Sequence, residues 1–97
     1  MMKTVKAIHL SDFDTCVTIT EPADQGDIIQ FIEAGIEQSV TVSEAVPIWH
    51  KVAVKPVKAG SGVYKYGAVI GLATKDIVPG EYVHVHNVRS PEAGGEV

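Results

Sequence analysis

Hydrophobic and polar residues alternate with a period of two along several short stretches of this chain. The pattern is clearest in Val17–Thr20, Val40–Val42 and Lys51–Lys55, where valine or isoleucine takes every second position. Such alternation is typical of strands that bury one face. Leucine, a strong helix former, occurs only at Leu10 and Leu72, whereas β-branched residues are abundant. The sequence therefore predicts an all-β domain of short strands joined by tight turns.

Three segments share the same order of features: a strand-like run, a short irregular stretch, a glycine and a second strand-like run. They span Val17–Ile28, Val52–Val63 and Leu72–Val83. The glycine in each supplies a backbone conformation that other residues resist. The repeat fits an internal duplication, but any small β protein also repeats strand, turn and strand. Both interpretations predict the same barrel-like architecture.

The segment between residues 26 and 38 fits two structures. Four isoleucines within Ile28–Ile36 have the spacing of an amphipathic helix, which Asp24 would cap. A glycine inside the segment and the β-branched side chains weaken that helix. A strand over Asp27–Ile32, followed by a turn at Glu33–Gly35, fits equally well. The chain is therefore expected to contain at most one short helix.

Size and charge restrict the classes of function. The 97 residues form one domain, which we place at residues 1–89, followed by a small, Gly-rich and flexible tail at 90–97. The formal net charge of −4 argues against binding to nucleic acid or to an anionic membrane. No apolar run approaches the roughly 20 residues that span a bilayer. The lone Cys16 and the absence of an apolar signal core after Met1–Thr4 indicate a cytoplasmic protein.

The residues best suited to chemistry lie near the end of the chain. His84 and His86 alternate with valines, so on a strand both imidazoles would point to one face. Neutral imidazole binds divalent metals such as Fe, Mn or Zn and also acts as a general base. Two histidines do not close a metal site, and His50 is the candidate for a third group. We expect catalytic roles for these three histidines, with His84 and His86 as metal ligands.

Two other segments each allow a structural and a functional interpretation. In Trp49–Lys51, either Trp49 fills the core beside a solvated His50 and Lys51, or His50 enters the site of the other histidines. In Tyr64–Gly67, either Lys65 is a surface residue between half-buried tyrosines, or it binds a carboxylate. In the second case Tyr66 forms a wall of the site and Gly67 allows close approach of the backbone.

The chain resembles a known family along most of its length. The stretches that carry the resemblance are His50–Val54, Val63–Gly80 and Val83–Asn87, which match H-K-x-A-x, K-Y-G-x-x-I-G-x-A and I-x-x-G-x-x-V-H-x-H-N. Taken together and in this order, they resemble the amino-terminal SAF domain of the altronate/galactarate dehydratase family. The match covers roughly residues 5–89.

This resemblance implies a SAF-type β-clip fold and a lyase that acts on a hydroxy-carboxylate. In the family the domain precedes a larger catalytic domain, or, as in sulfolactate sulfo-lyase, forms a separate small subunit. The implied partner is a large catalytic subunit that shares a divalent metal and a small hydroxy-acid substrate. The matched positions are His50, Lys51, Lys65, Tyr66, Gly67, His84, His86 and Asn87; we expect Lys51, Lys65, Tyr66, Gly67 and Asn87 to bind substrate.

The alternative is a non-catalytic SAF module that binds a sugar acid or a protein partner. A third interpretation is a subunit that only stabilises the large chain. Self-association into a homo-oligomer is also open, because strand edges in a small β domain invite pairing.

Overall fold

The computed structural model describes residues 2–9 and 11–90, and it confirms the all-β prediction for them. The nine strands are β1 (Thr4–Ile8), β2 (Cys16–Ile19), β3 (Ile28–Glu33), β4 (Ile36–Thr41), β5 (Lys51–Ala53), β6 (Gly62–Lys65), β7 (Ala68–Ala73), β8 (Tyr82–Val83) and β9 (Val88–Arg89). Most of the tail prediction falls on residues 91–97, which lie outside the described residues. Within the described ranges no helix is long and apolar enough to cross a membrane.

The strands form two sheets. A six-stranded sheet has the order β4-β3-β1-β2-β5-β8, and a three-stranded sheet has the order β6-β7-β9. Only the β1–β3 pair is parallel among these strand pairs. The β5–β8 pair joins Lys51 to Val83 and Val52 to Tyr82, so it brings the segment after His50 beside the end of the chain.

Strands β2 and β5 lie between two hydrophobic clusters and contribute alternate residues to each. Val17 and Val52 face the first cluster, which also contains Ile29 and Phe31. Cys16 and Ala53 face the second cluster, together with buried side chains from β6, β7 and β8. Because successive residues of a strand point to opposite faces, one pair of strands contributes to both clusters.

The segment between residues 26 and 38 is a hairpin, and the helix considered for it does not form. Strands β3 and β4 pair along their whole length and are joined by Ala34 and Gly35. Both of these residues have positive φ, 51° and 77°, as the favoured two-residue hairpin turn requires. Burial of Ile29 and Phe31 at alternate positions favours the strand over the helix, because it completes the first cluster.

The three repeated segments share a local structure, and the structure reveals a fourth. In each, a bridge residue is followed three positions later by a residue with positive φ. The bridges pair Ala23 with Val46 and Val57 with Ile77. The positive-φ residues are Gly26 (93°), Trp49 (68°), Gly60 (88°) and Gly80 (97°). Sequence inspection missed the fourth unit because a tryptophan replaces the glycine that marks the other three.

Candidate functional site

Four rings meet where β5 and β8 pair at the edge of the large sheet. The phenol oxygen of Tyr82 lies 2.5 Å from His50 Nδ1. The Tyr82 ring stacks on His84 at 5.5 Å and lies 5.5 Å from His86, while His50 and His84 are 5.1 Å apart, all measured between ring centroids. We call these four residues the histidine cluster. The structure thus brings together the three histidines that the sequence singled out.

Tyr82 is the centre of this cluster, and sequence reasoning missed it. It contacts each of the three histidine rings and also packs against the first hydrophobic cluster. When the phenol donates its proton to Nδ1 of His50, the proton of the neutral imidazole resides on Nε2. Its position on β8 directly before the H-x-H motif was the available sequence signal.

The prediction that the H-x-H motif lies on a strand is wrong. Strand β8 ends at Val83, and residues 84–87 form a turn in which both histidines are exposed. Asn87 closes this turn: its Oδ1 accepts from the amide of His84 at 3.0 Å, and its Nδ2 donates to the carbonyl of Tyr82 at 2.8 Å. The turn, rather than strand alternation, therefore presents His84 and His86.

Asn87 is fully buried, and both of its side-chain polar atoms bond within the turn. Its observed contacts orient the two histidines. Substrate binding by Asn87 stays a prediction, and because the side chain is fully buried it would require the turn to open.

Trp49 does not fill the core, in contrast to one interpretation of its segment. Its side chain is 61% exposed, and its backbone adopts a left-handed conformation at the turn that precedes β5. The physical reason is the turn itself, which requires positive φ three residues after the bridge at Val46. Trp49 lines a concavity of about 170 Å³ together with His50, Lys51, Val83 and His84.

The interpretation of Lys65 as a surface residue between half-buried tyrosines is wrong. Lys65 is 2% exposed, and its Nζ has no hydrogen-bond partner within the described residues. The ammonium lies 3.5 Å from the centroid of the Tyr66 ring, a cation–π contact. Tyr66 is itself 58% exposed, so its ring separates the lysine from solvent.

The carboxylate of Asp14 fixes the turn that carries Tyr66. It accepts hydrogen bonds from the amides of Tyr66 at 2.9 Å and Gly67 at 2.7 Å. Both turn residues have positive φ, and Asp14 is fully buried. Gly67 thus uses its amide within the fold, and Asp14 was missed because it is 52 residues from the turn in sequence.

Cys16 lies in the second hydrophobic cluster and is not poised as a nucleophile. Burial raises the pKa of its thiol to about 11, although the charges of Lys51 and Lys65 act in the opposite direction. A thiol with this pKa is protonated near neutral pH and is inert.

The described residues do not form a metal site by themselves. No group of three or more His, Cys, Asp or Glu side chains within residues 2–9 and 11–90 could hold an ion. His84 and His86 therefore fit a metal only if further ligands come from elsewhere.

A second concavity, of about 360 Å³, lies on the other side of Lys51, and we call it the large cavity. Its lining residues are Lys51, Ile70, Val83, His84, Val85, Val88, Arg89 and Ser90. It shares Lys51, Val83 and His84 with the concavity beside Trp49. The two hollows adjoin at a lysine and an exposed histidine.

Fold and site define a small all-β domain with a histidine cluster at one sheet edge. The family model for the altronate/galactarate dehydratase SAF domain matches residues 5–91. The chain belongs to this family, as the resemblance in its motifs indicated.

The relatives of the chain include both separate subunits and longer enzymes. It is 31% identical over 85 residues to the (2R)-sulfolactate sulfo-lyase subunit alpha of Chromohalobacter salexigens. The aligned residues cover 86% of this chain and 90% of that protein. The chain is 43% identical over 51 residues to the subunit of the same name from Paracoccus pantotrophus. The aligned residues cover 53% of this chain and 76% of that subunit. The chain is 38% identical over 65 residues to the altronate dehydratase of Escherichia coli, covering 66% of this chain but only 13% of that enzyme.

Proposed function

We propose that this chain is the small subunit of a hydroxy-acid lyase and completes the active site of a separate large catalytic subunit. The observation that carries the proposal is the histidine cluster, in which exposed His84 and His86 and the hydrogen-bonded His50–Tyr82 pair meet at one sheet edge. Two relatives named as lyase subunits support it, and the alignment with the first covers 86% of this chain and 90% of that subunit. The lone buried cysteine is compatible with a cytoplasmic location.

The reaction class is β-elimination from a hydroxy acid. A base takes the proton from the carbon next to the carboxylate, and the leaving group departs from the neighbouring carbon with its electron pair. The leaving group is water in a dehydratase and sulfite in a sulfo-lyase. The resulting enol then becomes a keto acid. Imidazoles whose ordinary pKa is near neutrality suit both the base and the acid of this reaction.

Individual residues take distinct parts in this proposal. His84 and His86 reach the large subunit and act in proton transfer, while Tyr82 orients His50. Lys51 attracts the anionic substrate from its position between the two concavities. If a divalent metal (Fe, Mn or Zn) is bound, His84 or His86 would serve as its ligand instead of transferring a proton, and the remaining ligands would come from the large subunit.

Lys65 and Tyr66 form a substrate contact only after a local change. The Tyr66 ring covers the ammonium of Lys65, so a carboxylate reaches the lysine when that ring moves. Asp14 already occupies the Gly67 amide, which leaves Gly67 the role of allowing close approach.

The test is reconstitution with the large subunit encoded by the same organism, followed by assay on altronate, galactarate and sulfolactate. His84→Ala and His86→Ala are expected to lower kcat by about 100-fold or more, the usual contribution of a general acid or base. Both variants should retain the wild-type circular dichroism spectrum, because both side chains are exposed. Lys58→Ala, at an exposed lysine outside the cluster, is the control.

The alternative binding module has one observation in its favour: no group of three metal ligands occurs within the described residues. It predicts that the chain binds a sugar acid or partner and takes part in no reaction, whereas a subunit that only stabilises the large chain predicts that activity persists in both histidine variants. Full activity of both would overturn the lyase proposal.

A further inference from the structure

We propose that Arg89 and Lys51 bind the carboxylate of a small hydroxy acid inside the large cavity. This assignment deepens the proposed function, on which its catalytic meaning rests, but the binding itself is a property of this chain alone. Arg89 is new as a site residue: it lies on β9, after the family motif ends at Asn87.

The cavity has the form of a small-ligand site. Its volume of about 360 Å³ falls within the usual range for ligand pockets, roughly 300–1,000 Å³. Valine and isoleucine side chains from β7, β8 and β9 and from the turn after β8 make up half of the lining residues. A small acid would therefore place its carbon skeleton on an apolar surface and its charge at the polar groups.

The charges lining the cavity are unbalanced. Lys51 and Arg89 both line it, and no aspartate or glutamate of residues 2–9 and 11–90 is among its lining residues. Within the described part of the chain, the ion pair found is between Lys55 and Glu33, so neither of these two cations is in a salt bridge there. Two unneutralised cations are notable in a chain of net charge −4.

Arginine suits a carboxylate in particular, because its planar guanidinium donates two parallel hydrogen bonds to the two oxygens. Lys51 adds a point charge from β5, a strand of the six-stranded sheet. His84 lines the same cavity, so an acid bound by Arg89 and Lys51 has an imidazole of the histidine cluster at the wall of its site.

The first experiment is an NMR titration of the full chain with glycerate, using glycerol as the uncharged probe of similar shape. Glycerate should shift the resonances of Val88, Arg89 and Val83, whereas glycerol should not. Arg89→Gln and Lys51→Gln should each weaken glycerate binding by about tenfold or more, since a hydrogen bond to a charged group is lost. Lys58→Gln is the matched control and should bind as the wild type does.

Three results would overturn the assignment: equal shifts with glycerol, equal shifts with inorganic sulfate at the same concentration, or wild-type affinity in Arg89→Gln. In the reconstituted enzyme, Arg89→Gln should raise KM about tenfold with kcat nearly unchanged, in contrast to the histidine variants. A chain that binds glycerate through Arg89 but joins no large subunit would refute the proposed function and leave this site standing.

A second inference rests on a different observation, the backbone of Trp49. We infer that Trp49 is a contact residue for the large subunit. Three of the four bridge-and-turn units place glycine at the positive-φ position, and this unit alone places a tryptophan there. Left-handed backbone is unfavourable for a residue with a Cβ, so the fold gains nothing from this choice.

Trp49 is also poorly placed to stabilise the domain, since the residue is 61% exposed and its neighbour Ile48 is 42% exposed. Tryptophan is among the residues that most often dominate the binding energy of protein interfaces. Its position next to His50 makes it continuous with the edge that the proposed function assigns to the large subunit.

Comparison of Trp49→Gly with Trp49→Ala separates strain from recognition, because both variants remove the ring. The glycine variant should melt about 4 °C or more above the alanine variant, since glycine adopts positive φ without strain. Both should bind the large subunit at least tenfold more weakly, and Trp49→Phe should recover part of that affinity. Wild-type affinity in both ringless variants would overturn the inference.

Discussion

At the scale of single residues, the most unusual group is the ammonium of Lys65. It is buried at the end of β6 without a hydrogen-bond partner in the described chain, and it lies 3.5 Å from the centroid of the Tyr66 ring. A buried polar group without a partner costs free energy, more so when it is charged. The fold therefore carries a penalty at a position that matches the family motif.

Replacing Lys65 by methionine should stabilise the domain. The variant keeps most of the side-chain volume, loses the cation–π contact and removes the desolvated charge, so we expect the free energy of unfolding to rise by about 1–3 kcal/mol. Urea unfolding monitored by circular dichroism measures it. Lys58→Met, at an exposed position, should change stability by less than about 0.5 kcal/mol. Lower stability of Lys65→Met would mean that the ammonium has a favourable partner.

Single residues also explain where sequence reasoning failed. The H-x-H motif was assigned to a strand because of its alternation, but Asn87 closes a turn with bonds that local periodicity does not reveal. Trp49 was given a core position as one option, and only the spacing from Val46 shows that it occupies a glycine position. The contacts of Asp14 and Tyr82 join residues that are far apart in the sequence. The sequence alone therefore does not reveal them.

At the scale of elements, strand alternation and turn glycines predicted most of what is observed. The turns at Gly26, Gly60 and Gly80 have the expected positive φ. The order of the strands in the sheet could not be predicted from the sequence, because β1 lies between β2 and β3 and pairs with β3 in parallel. Non-local pairings of this kind depend on the summed packing of both clusters rather than on any local pattern.

The close approach of β7 and β9 depends on Gly71. A Cβ at this position would overlap the side chain of Val88 and the carbonyl oxygen of Arg89. Gly71→Ala should therefore lower the free energy of unfolding by about 1–3 kcal/mol and displace Arg89 from the large cavity. Gly62→Ala is the matched control, because a Cβ there would meet its nearest atoms at 3.3–3.5 Å. Equal stability of the two variants in urea would contradict the prediction.

The turn before β3 makes stability depend on pH through Asp27. Its carboxylate accepts hydrogen bonds from the amides of Lys3 and Asp24, and these bonds hold its pKa below the ordinary value. The stabilisation is present above the unfolded-state pKa, about 3.9, and is lost as pH falls through the lower folded-state pKa.

Asp27→Asn should therefore be less stable than the wild type at pH 7, and the difference should shrink as pH falls below about 4. Urea midpoints at pH 7, 4 and 3 measure the effect, and Glu44→Gln at an exposed carboxyl is the control. A constant difference between Asp27→Asn and the wild type across this range would exclude the linkage.

At the scale of the whole molecule, the two hydrophobic clusters share β2 and β5 and should unfold together. Ile29→Ala removes a fully buried side chain from the first cluster, and Ile77→Ala removes one from the second. Each should cost about 2–5 kcal/mol, and each should show a single transition with the same midpoint in circular dichroism and in the NMR signals of both clusters. Separate transitions would mean that the clusters fold independently.

The pairing of β5 with β8 has a consequence for how long the rings of the histidine cluster stay together. Only two residue pairs join these strands, at the outer edge of the sheet, and they bring together rings 32 or more positions apart in the chain. Short edge pairings open more often than central ones, without global unfolding. Hydrogen exchange at Val83 therefore reports the lifetime of the assembled rings, and a partner that clamps this edge would switch the site on by suppressing its opening.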